Sequence, residues 1–169
     1  MEIRQEREAD YPAVYQVVKE AFAGAEHTDG QEQDLVVALR QSPGFIPELA
    51  LVAVAEAEIV GYILFSRAFV GEQEVLALAP LAVLPEFQGR GIGLALIAEG
   101  HRRAAALGYK YAVVLGHPGY YPQAGYKPAS RLGISAPFPV AEECFMAICL
   151  DGAAERLNGC IRYDRAFGI

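Results

Sequence analysis

The sequence predicts a mixed α/β fold built on a single central sheet that is mostly antiparallel. Leu49–Glu56 and Glu58–Val70 are two apolar runs joined by a short turn, a pattern typical of a β-hairpin. Val75–Val83 extends the pattern, so the three runs would form an antiparallel meander. A glycine-rich turn then leads into a helix that ends near Ala106. Such a crossover would place the next strand, Tyr111–Leu115, parallel to Val75–Val83.

The residues before the hairpin are expected to form a strand and two helices. In order, the predicted segments are a strand, a helix, a polar loop and a second helix, at Ile3–Arg7, Ala9–Phe22, Gly24–Gly30 and Gln31–Gln41. The first helix is predicted from Val14, Val17 and Val18, which recur at helical spacing and define one apolar face. The run Ser42-Pro43-Gly44 would end the second helix, because proline and glycine both disfavour its continuation.

The segments after Tyr111–Leu115 would complete the sheet. A short helical turn is predicted at Pro118–Ala124, followed by strands near Tyr126–Gly133 and Phe145–Leu150. The sequence shows no internal repeat, low-complexity tract or interdomain linker. Its 169 residues suit one domain with a substantial core, so we expect a single domain over residues 1–169.

The composition indicates a folded protein whose partners are neither nucleic acids nor membranes. Hydrophobic residues make up 53% of the chain and charged residues 21%, which supplies enough apolar side chain for a core. The net charge is −7, whereas nucleic-acid binding requires a basic surface. The sequence has no signal-peptide pattern and no apolar run of about 18 residues, so we expect a cytoplasmic protein. Its three cysteines lack metal-ligand spacing and are expected to be buried, reduced thiols, with no bound metal.

The most informative segment is the glycine-rich turn at Gln88–Leu94, directly after the third strand of the meander. Gly89, Gly91 and Gly93 let the backbone approach a ligand closely. The helix that follows presents free N–H groups at its N-terminus, and these favour an anion. Arg90 adds a positive side chain to the turn. The segment therefore predicts a site for a phosphate or a diphosphate.

Two common nucleotide-binding patterns do not fit this turn. A dinucleotide fingerprint needs a third glycine where Leu96 stands, and an acidic residue in the region that Lys110 occupies. The G-K-[ST] ending of a P-loop does not occur in the chain. What remains is Gln88-Gly-Arg-Gly91-Ile-Gly93, the pattern Q-x-x-G-x-G. This pattern resembles the acyl-CoA-binding signature of the GNAT superfamily of N-acyltransferases.

A second motif, in the right order and at the right distance, strengthens the resemblance. The run Tyr120-Tyr-Pro-Gln-Ala-Gly-Tyr126 is similar to the family's Y-x-x-x-G-[FY] element and resembles small acetyltransferases with a YYPxxGY element. The resemblance implies the acyl-CoA N-acyltransferase fold, in which the two central parallel strands splay apart. Pro80 marks the expected break, because proline cannot donate a hydrogen bond to a neighbouring strand.

The resemblance also implies acetyl-CoA as the co-substrate and assigns residues to it. The turn amides would hold the diphosphate, and the strand before them would pair with the pantetheine arm. The implied cofactor-binding residues are Leu81, Ala82, Val83, Gln88, Gly89, Arg90, Gly91, Ile92, Gly93 and Leu94. Tyr121 matches the family's general acid, which protonates the leaving thiolate. Leu94 departs from the family pattern, which often has a hydroxyl residue there, so somewhat weaker cofactor binding is expected.

No acidic residue matches the base that some family members carry on the strand before the glycine-rich turn. The corresponding position is Ala77, and the whole run Val75–Val83 lacks a carboxylate. Deprotonating an alkyl amine with a pKa near 10.4 costs about 4.6 kcal/mol at pH 7, so the reaction needs a proton acceptor. The candidates are water or one of four side chains: Glu26, His27, Glu32 and His117.

The resemblance thus predicts an acetyl-CoA-dependent N-acetyltransferase that acts on a primary amine of a small molecule or a peptide. The alternative is a sensor that binds acyl-CoA on the same fold without turnover, which Ala77 keeps open. The identity of the acceptor would depend on the loops around Gly24–Gly30 and Arg131–Glu143. The apolar C-terminal third would offer a surface for a homodimer.

Overall fold

A nine-stranded sheet organises the part of the chain that the computed structural model describes, residues 1–25, 28–152 and 155–169. The strands are β1 (Glu2–Gln5), β2 (Ala50–Ala55), β3 (Glu58–Val70), β4 (Gln73–Val83), β5 (Tyr111–Leu115), β6 (Lys127–Pro128), β7 (Ile134–Ser135), β8 (Phe145–Cys149) and β9 (Gly159–Arg162). The α-helices are α1 (Tyr11–Phe22), α2 (Glu32–Arg40) and α3 (Ile92–Ala106). Within the described residues, no helix combines the length and the apolar character that crossing a bilayer requires.

The sheet is mostly antiparallel, as the sequence predicts. Its strands lie in the order β1-β2-β3-β4-β5-β8-β6, while β9 pairs with β3 and with β7. β4 and β5 are parallel because α3 crosses over between them, and the short β7 and β9 are parallel as well. The predicted hairpin, meander and crossover helix are confirmed by β2–β3, β4 and α3.

β4 and β5 pair over a short stretch and then separate. Leu76 lies opposite Ala112 and Ala77 opposite Val113, whereas β4 continues to Val83 without a β5 partner. The predicted splaying of the two central parallel strands is therefore confirmed. The gap between them begins after Ala77 and extends along the rest of β4.

A bulge in β4 lies at the start of this separation. On the β3 side the register shifts, because Ile63 pairs with Leu81 and Phe65 pairs with Leu78. β4 therefore has two residues, one of them Pro80, opposite a single residue of β3. Proline has no N–H to donate to a neighbouring strand and is tolerated at bulges, so the break predicted at Pro80 is confirmed.

The helices cover opposite faces of the sheet. On β3, Phe65 packs closely against Gly100 of α3. Tyr62, three residues before Phe65, instead donates a hydrogen bond of 3.5 Å to Glu6. Glu6 in turn forms an ion pair with Arg40 of α2. Odd and even residues of a strand point to opposite faces. α3 therefore lies on one face, and α2, with α1 packed against it, lies on the other.

Asp164 fastens the C-terminal segment to the turn that follows α2. Its carboxylate accepts hydrogen bonds from the Ser42 hydroxyl, from the Gly44 N–H at 2.9 Å and from the Ala166 N–H at 2.8 Å. A Cβ atom at Gly44 would overlap this carboxylate, so the close approach requires glycine. The last residues of the chain thereby hold the C-terminal end of α2 in place.

The C-terminal third differs from the sequence prediction. The strand expected at Tyr126–Gly133 is reduced to the two residues of β6, because Ala129–Leu132 forms a 3-10 helix instead. Gly133 ends that helix with a left-handed φ of 72°. β7 and β9 lie outside every predicted strand, since each is short and depends on pairing with a distant segment.

Two smaller expectations are also wrong. β1 ends at Gln5, and α1 begins only at Tyr11, because a 3-10 turn precedes it. In that turn Asp10 accepts hydrogen bonds from the Arg7 N–H at 2.7 Å and from the Arg4 guanidinium. The cysteines are also not buried: Cys160 is exposed, while Cys144 and Cys149 are half-buried.

Packing of α3 onto the sheet depends on Gly100. A Cβ atom there would overlap the Phe65 ring. We expect Gly100→Ala to lower the free energy of unfolding by about 1–2 kcal/mol, since overpacking outweighs the better helix propensity of alanine. Denaturant titration measures this. Ala98→Gly, on the exposed side of the same turn, reports helix propensity alone. A more stable Gly100→Ala variant would contradict the packing argument.

Candidate active site

A cleft of about 1160 Å³ opens where β4 and β5 separate, and it reaches both faces of the sheet. On the face of α3, it is lined by the glycine-rich turn and by the first turn of that helix. On the opposite face, it is lined by Phe22 at the end of α1 and by Leu35 of α2. Pro80, Leu81 and Tyr121 line the passage between the strands. The cleft therefore allows two ligands to meet from opposite sides.

The turn between β4 and α3 presents its backbone to the cleft. Gly89 and Gly91 have φ values of 77° and 80°, in the left-handed region that favours glycine. A Cβ atom at either position would meet no atom within 4 Å, so the turn borders open space. Gly91 is the N-cap of α3, and no side chain of the described residues caps this helix. Its first N–H groups and the positive end of its dipole therefore favour an anion.

Two contacts fix the conformation of the turn. Gln88 donates a hydrogen bond of 3.0 Å from Nε2 to the carbonyl oxygen of Val83, which ties the turn to the end of β4. Gly93 lies against Tyr120, and a Cβ atom at Gly93 would overlap the Tyr120 hydroxyl. The glycine is therefore needed for α3 to begin this close to the aromatic residues after β5.

The cleft brings most of the predicted cofactor-binding residues together. Those that line it are Leu81, Val83, Gln88, Gly89, Gly91, Ile92, Gly93 and Leu94. Ala82 and Arg90 do not line it. Ala82 is buried, with Tyr62 as its partner on β3. The Arg90 guanidinium donates to the Glu86 carbonyl at 3.2 Å and lies 4.8 Å above the Phe87 ring. Both contacts are within the turn, so the guanidinium is positioned beside the turn and not in the cleft.

Tyr121 lies in the wall of the cleft, within an aromatic cluster. Its ring meets those of Tyr120 and Tyr126 edge-on, with centroids 5.1 Å and 5.9 Å away. A Cβ atom at Gly116 would overlap the Tyr121 ring, so that glycine fixes the position of the ring. Burial, with a smaller effect from Tyr120, raises the pKa of the Tyr121 hydroxyl above its usual 10.0. The hydroxyl therefore stays protonated at neutral pH.

His117 lines the cleft, but its geometry is that of a loop-fixing residue. Its Nδ1 accepts a hydrogen bond of 2.9 Å from the backbone N–H of Gly119. In a neutral imidazole the other nitrogen, Nε2, then carries the proton. A second proton would have to displace the Gly119 contact from Nδ1. His117 is therefore poorly arranged to accept a proton from a substrate.

Glu32 also lines the cleft, on the side of α1 and α2. Its carboxylate accepts a hydrogen bond of 2.6 Å from the Thr28 hydroxyl, which in turn accepts one of 3.0 Å from the Gly30 N–H. Glu26 and His27, two further candidates for the base, lie outside the described residues. Ala77 is buried in β4 and is absent from the lining.

Sequence reasoning missed the residues on the side of α1 and α2. Phe22 and Leu35 line the cleft there, and Cys144 borders the same cleft directly before β8. Periodicity assigns Phe22 and Leu35 to the core, since an apolar residue near a helix end has the same pattern whether it packs or borders a cavity. The usable signal was Thr28, four residues before Glu32, because a hydroxyl and a carboxylate at this spacing can hydrogen-bond.

Behind the aromatic cluster, His101 of α3 supports Tyr126. Its Nε2 lies 2.8 Å from the Tyr126 hydroxyl, and Tyr126 is almost fully buried. Burial lowers the pKa of His101 to about 4. The imidazole is therefore neutral at working pH and acts as a hydrogen-bonding support for the wall that carries Tyr121.

Comparison with known proteins identifies the family. Residues 3–122 match the model of the acetyltransferase (GNAT) family, which is more than half of the chain. The chain is 42% identical over 140 residues to YjhQ of Escherichia coli strain K12, an uncharacterized N-acetyltransferase, with 78% of this chain and 77% of that protein covered. It is 30% identical over 171 aligned residues to YhbS, an uncharacterized N-acetyltransferase of the same strain, with 99% and 98% covered.

Solved structures share the fold over nearly the whole length. The GNAT family N-acetyltransferase YhbS from Escherichia coli, in complex with CoA, matches with a TM-score of 0.89 at 27% identity, covering 99% of this chain and 92% of that one. A GNAT family acetyltransferase from Brucella melitensis, in complex with acetyl-CoA, matches with a TM-score of 0.82 at 31% identity, covering 98% and 97%.

The chain belongs to the GNAT family. It is an acetyl-CoA-dependent N-acetyltransferase, so the family, the fold and the class of enzyme predicted from the two motifs are confirmed.

The lowered pKa of His101 makes stability depend on acid pH. The unfolded chain, with a histidine pKa of 6.5, binds more protons than the folded one down to about pH 4. Stability attributable to His101 is therefore complete above pH 6.5 and is lost as the pH falls toward 4. We expect a loss of about 1–2 kcal/mol after allowing for the partial exposure of the ring.

The check is His101→Gln, which keeps a hydrogen-bonding group but does not titrate. Urea unfolding at pH 7.5 and pH 4.5 should show a smaller loss of stability for this variant than for the parent protein. Equal losses in both proteins would contradict the assignment.

Proposed function

We propose that this enzyme transfers the acetyl group of acetyl-CoA to a primary amine of a small molecule or a peptide. The observation that carries the proposal is the cleft through the opened sheet, with an uncapped helix N-terminus on one face. That arrangement suits a long anionic cofactor that enters from the side of α3. The complexes of the two structural relatives, one with CoA and one with acetyl-CoA, support the same proposal.

In the proposed complex, backbone groups hold the cofactor. The N–H groups from Gly89 to Leu94 bind the diphosphate, since they lie in the turn at the positive end of α3, whereas the Gln88 N–H donates to the Pro85 carbonyl. The amides of the pantetheine arm pair with the backbone of Leu81, Ala82 and Val83, which lack a β5 partner. Ala82 would contribute through its backbone alone, because its side chain is buried.

The proposed chemistry is direct transfer from the thioester to the amine. The neutral amine nitrogen attacks the acetyl carbonyl carbon, a C–N bond forms and the C–S bond breaks. Tyr121 gives its proton to the leaving thiolate, and the amine loses a proton to the base. Burial raises the pKa of Tyr121 and so disfavours this proton transfer, but an apolar site also raises the pKa of the thiol, so the two pKa values stay closer.

Water or Glu32 is the proposed proton acceptor. The hydrogen bond to Gly119 already occupies Nδ1 of His117, whereas Glu32 has carboxylate lone pairs free toward the cleft. Because the neutral amine is the reactive form, the rate at subsaturating amine should rise with pH toward the amine's own pKa.

The alternative that Ala77 leaves open in the sequence, an acyl-CoA sensor without turnover, is disfavoured by the N-acetyltransferases among the relatives. Release of free CoA thiol in the presence of primary amines separates the two functions. A sensor would bind acetyl-CoA and release no thiol above the rate of spontaneous hydrolysis.

The proposed acid is tested by Tyr121→Phe. We expect kcat to fall about 100-fold or more while the affinity for CoA stays within a factor of about two, since a proton donor is lost without a cofactor contact. Thiol release measures kcat and calorimetry measures CoA binding. Tyr120→Phe is the matched variant for the neighbouring phenol. If Tyr120→Phe abolished turnover and Tyr121→Phe did not, the assignment of the acid would be wrong.

The proposed diphosphate site is tested by Gly91→Glu. The new carboxylate would oppose the cofactor charge, and we expect CoA to bind at least 30-fold more weakly, which corresponds to about 2 kcal/mol. Gly168→Glu is the control for backbone strain, because Gly168 also has a left-handed φ, 73°, and open space around it. Calorimetric titration with CoA measures both variants. Unchanged affinity in Gly91→Glu would remove the basis of the cofactor assignment.

A further inference from the structure

The face of the cleft opposite α3 is lined mostly by apolar side chains. Its lining consists of Phe22, Ala25 and Leu35 together with two polar residues, Thr28 and Glu32. Because α2 and α3 lie on opposite faces of the sheet, this region is separate from the turn that favours an anion. A ligand that enters here meets mostly apolar side chains and one carboxylate among the described residues.

The Glu32 carboxylate is placed without a cation. It is half-buried, and among the described residues no lysine, arginine or histidine forms an ion pair with it. Two other carboxylates that are shielded from solvent have cations: Glu6 pairs with Arg40, and Asp10 pairs with Arg4. A carboxylate beside apolar surface is stabilised when a cation joins it, because removal from water costs the charged form free energy.

Thr28 orients this carboxylate and leaves it available. Its hydroxyl lies 2.6 Å from both carboxylate oxygens of Glu32 and has one proton to donate. The same hydroxyl accepts from the Gly30 N–H at 3.0 Å, which fixes its direction. The Gly30 carbonyl accepts from Gln33 Nε2 at 2.9 Å, so the loop itself is tied to α2. A carboxylate has about four acceptor positions, and Thr28 uses one of them.

We propose that this face is the acceptor subsite and that it selects a primary amine carried on an apolar group, with Glu32 holding the ammonium. The inference rests on the proposed function, since it names the class of amine for the same cleft. The Phe22 and Leu35 side chains contact the apolar group, and Thr28 positions the Glu32 carboxylate. A carboxylate on the substrate next to its amine is disfavoured there by repulsion from Glu32.

The experiment compares phenethylamine with phenylalanine, which differs by a carboxylate next to the amine. Thiol release gives kcat and KM for each amine with the parent protein, with Glu32→Gln and with Glu72→Gln. Glu72 is an exposed carboxylate in the turn between β3 and β4 and controls for the change in net charge. Calorimetry with phenethylamine in the presence of CoA measures binding independently of turnover.

We expect Glu32→Gln to raise the KM for phenethylamine at least 10-fold, with the KM for acetyl-CoA within a factor of about two. The parent protein should prefer phenethylamine to phenylalanine at least 10-fold, and this preference should shrink in Glu32→Gln, which a merely structural role would not produce. Glu72→Gln should behave as the parent protein does.

Three results would overturn the inference: an unchanged KM in Glu32→Gln, an effect confined to kcat, or an undiminished preference between the two amines. Absence of thiol release with every amine would instead overturn the proposed function. In that case, weaker phenethylamine binding by Glu32→Gln would still support the subsite, and equal or undetectable binding by both proteins would refute it.

Discussion

The site depends on the separation of β4 from β5. In a sheet, each strand normally satisfies the N–H and C=O groups of its neighbour. Beyond Ala77 the β4 backbone has no β5 partner, and a buried group left without a hydrogen bond costs about 1–3 kcal/mol. An open cleft avoids that cost, because water or a ligand can reach these groups. The bulge at Pro80, in the β3–β4 pairing, lies next to the point where the β4–β5 pairing ends, and Pro80 has no N–H to offer β5.

The open strands also divide the cleft into two electrostatic environments. The α3 side has free N–H donors and favours an anion, whereas the α1–α2 side has the Glu32 carboxylate and favours a cation. The sheet stands between the two sides. In the proposed function, this arrangement keeps an amine substrate from binding at the diphosphate site, and the two reacting groups meet only between the strands beside Tyr121.

Local chemistry explains which parts of the fold could be predicted. The hairpin, the meander and the glycine-rich turn each follow from a short run of residues, and so does the break at Pro80. β9 could not be predicted in this way, because Ile161 gains its strand conformation by pairing with Val70, far away in the sequence. The prediction of a strand at Tyr126–Gly133 was wrong for a related reason, since the short β6 depends on β8 for its pairing.

The candidate site also has one part that the sequence could predict and one part that it could not. The turn from Gln88 to Leu94 and the aromatic run around Tyr121 are continuous motifs, so their residue types and spacing indicate the chemistry directly. The α1–α2 side of the cleft is assembled from separate segments, at the end of α1 and at the start of α2. Sequence spacing carries no information about such an assembly until the fold brings the segments together.

The hydrogen bonds from Ser42 and Gly44 to Asp164 bear on how the substrate preference of the enzyme could change. This contact sets the resting position of α2, and Glu32 lies at the other end of that helix. Exchanges among the final residues of the chain would therefore tilt the helix and move the carboxylate. In the proposed function, new acceptor preferences would thus be accessible through changes that touch no residue of the cleft itself.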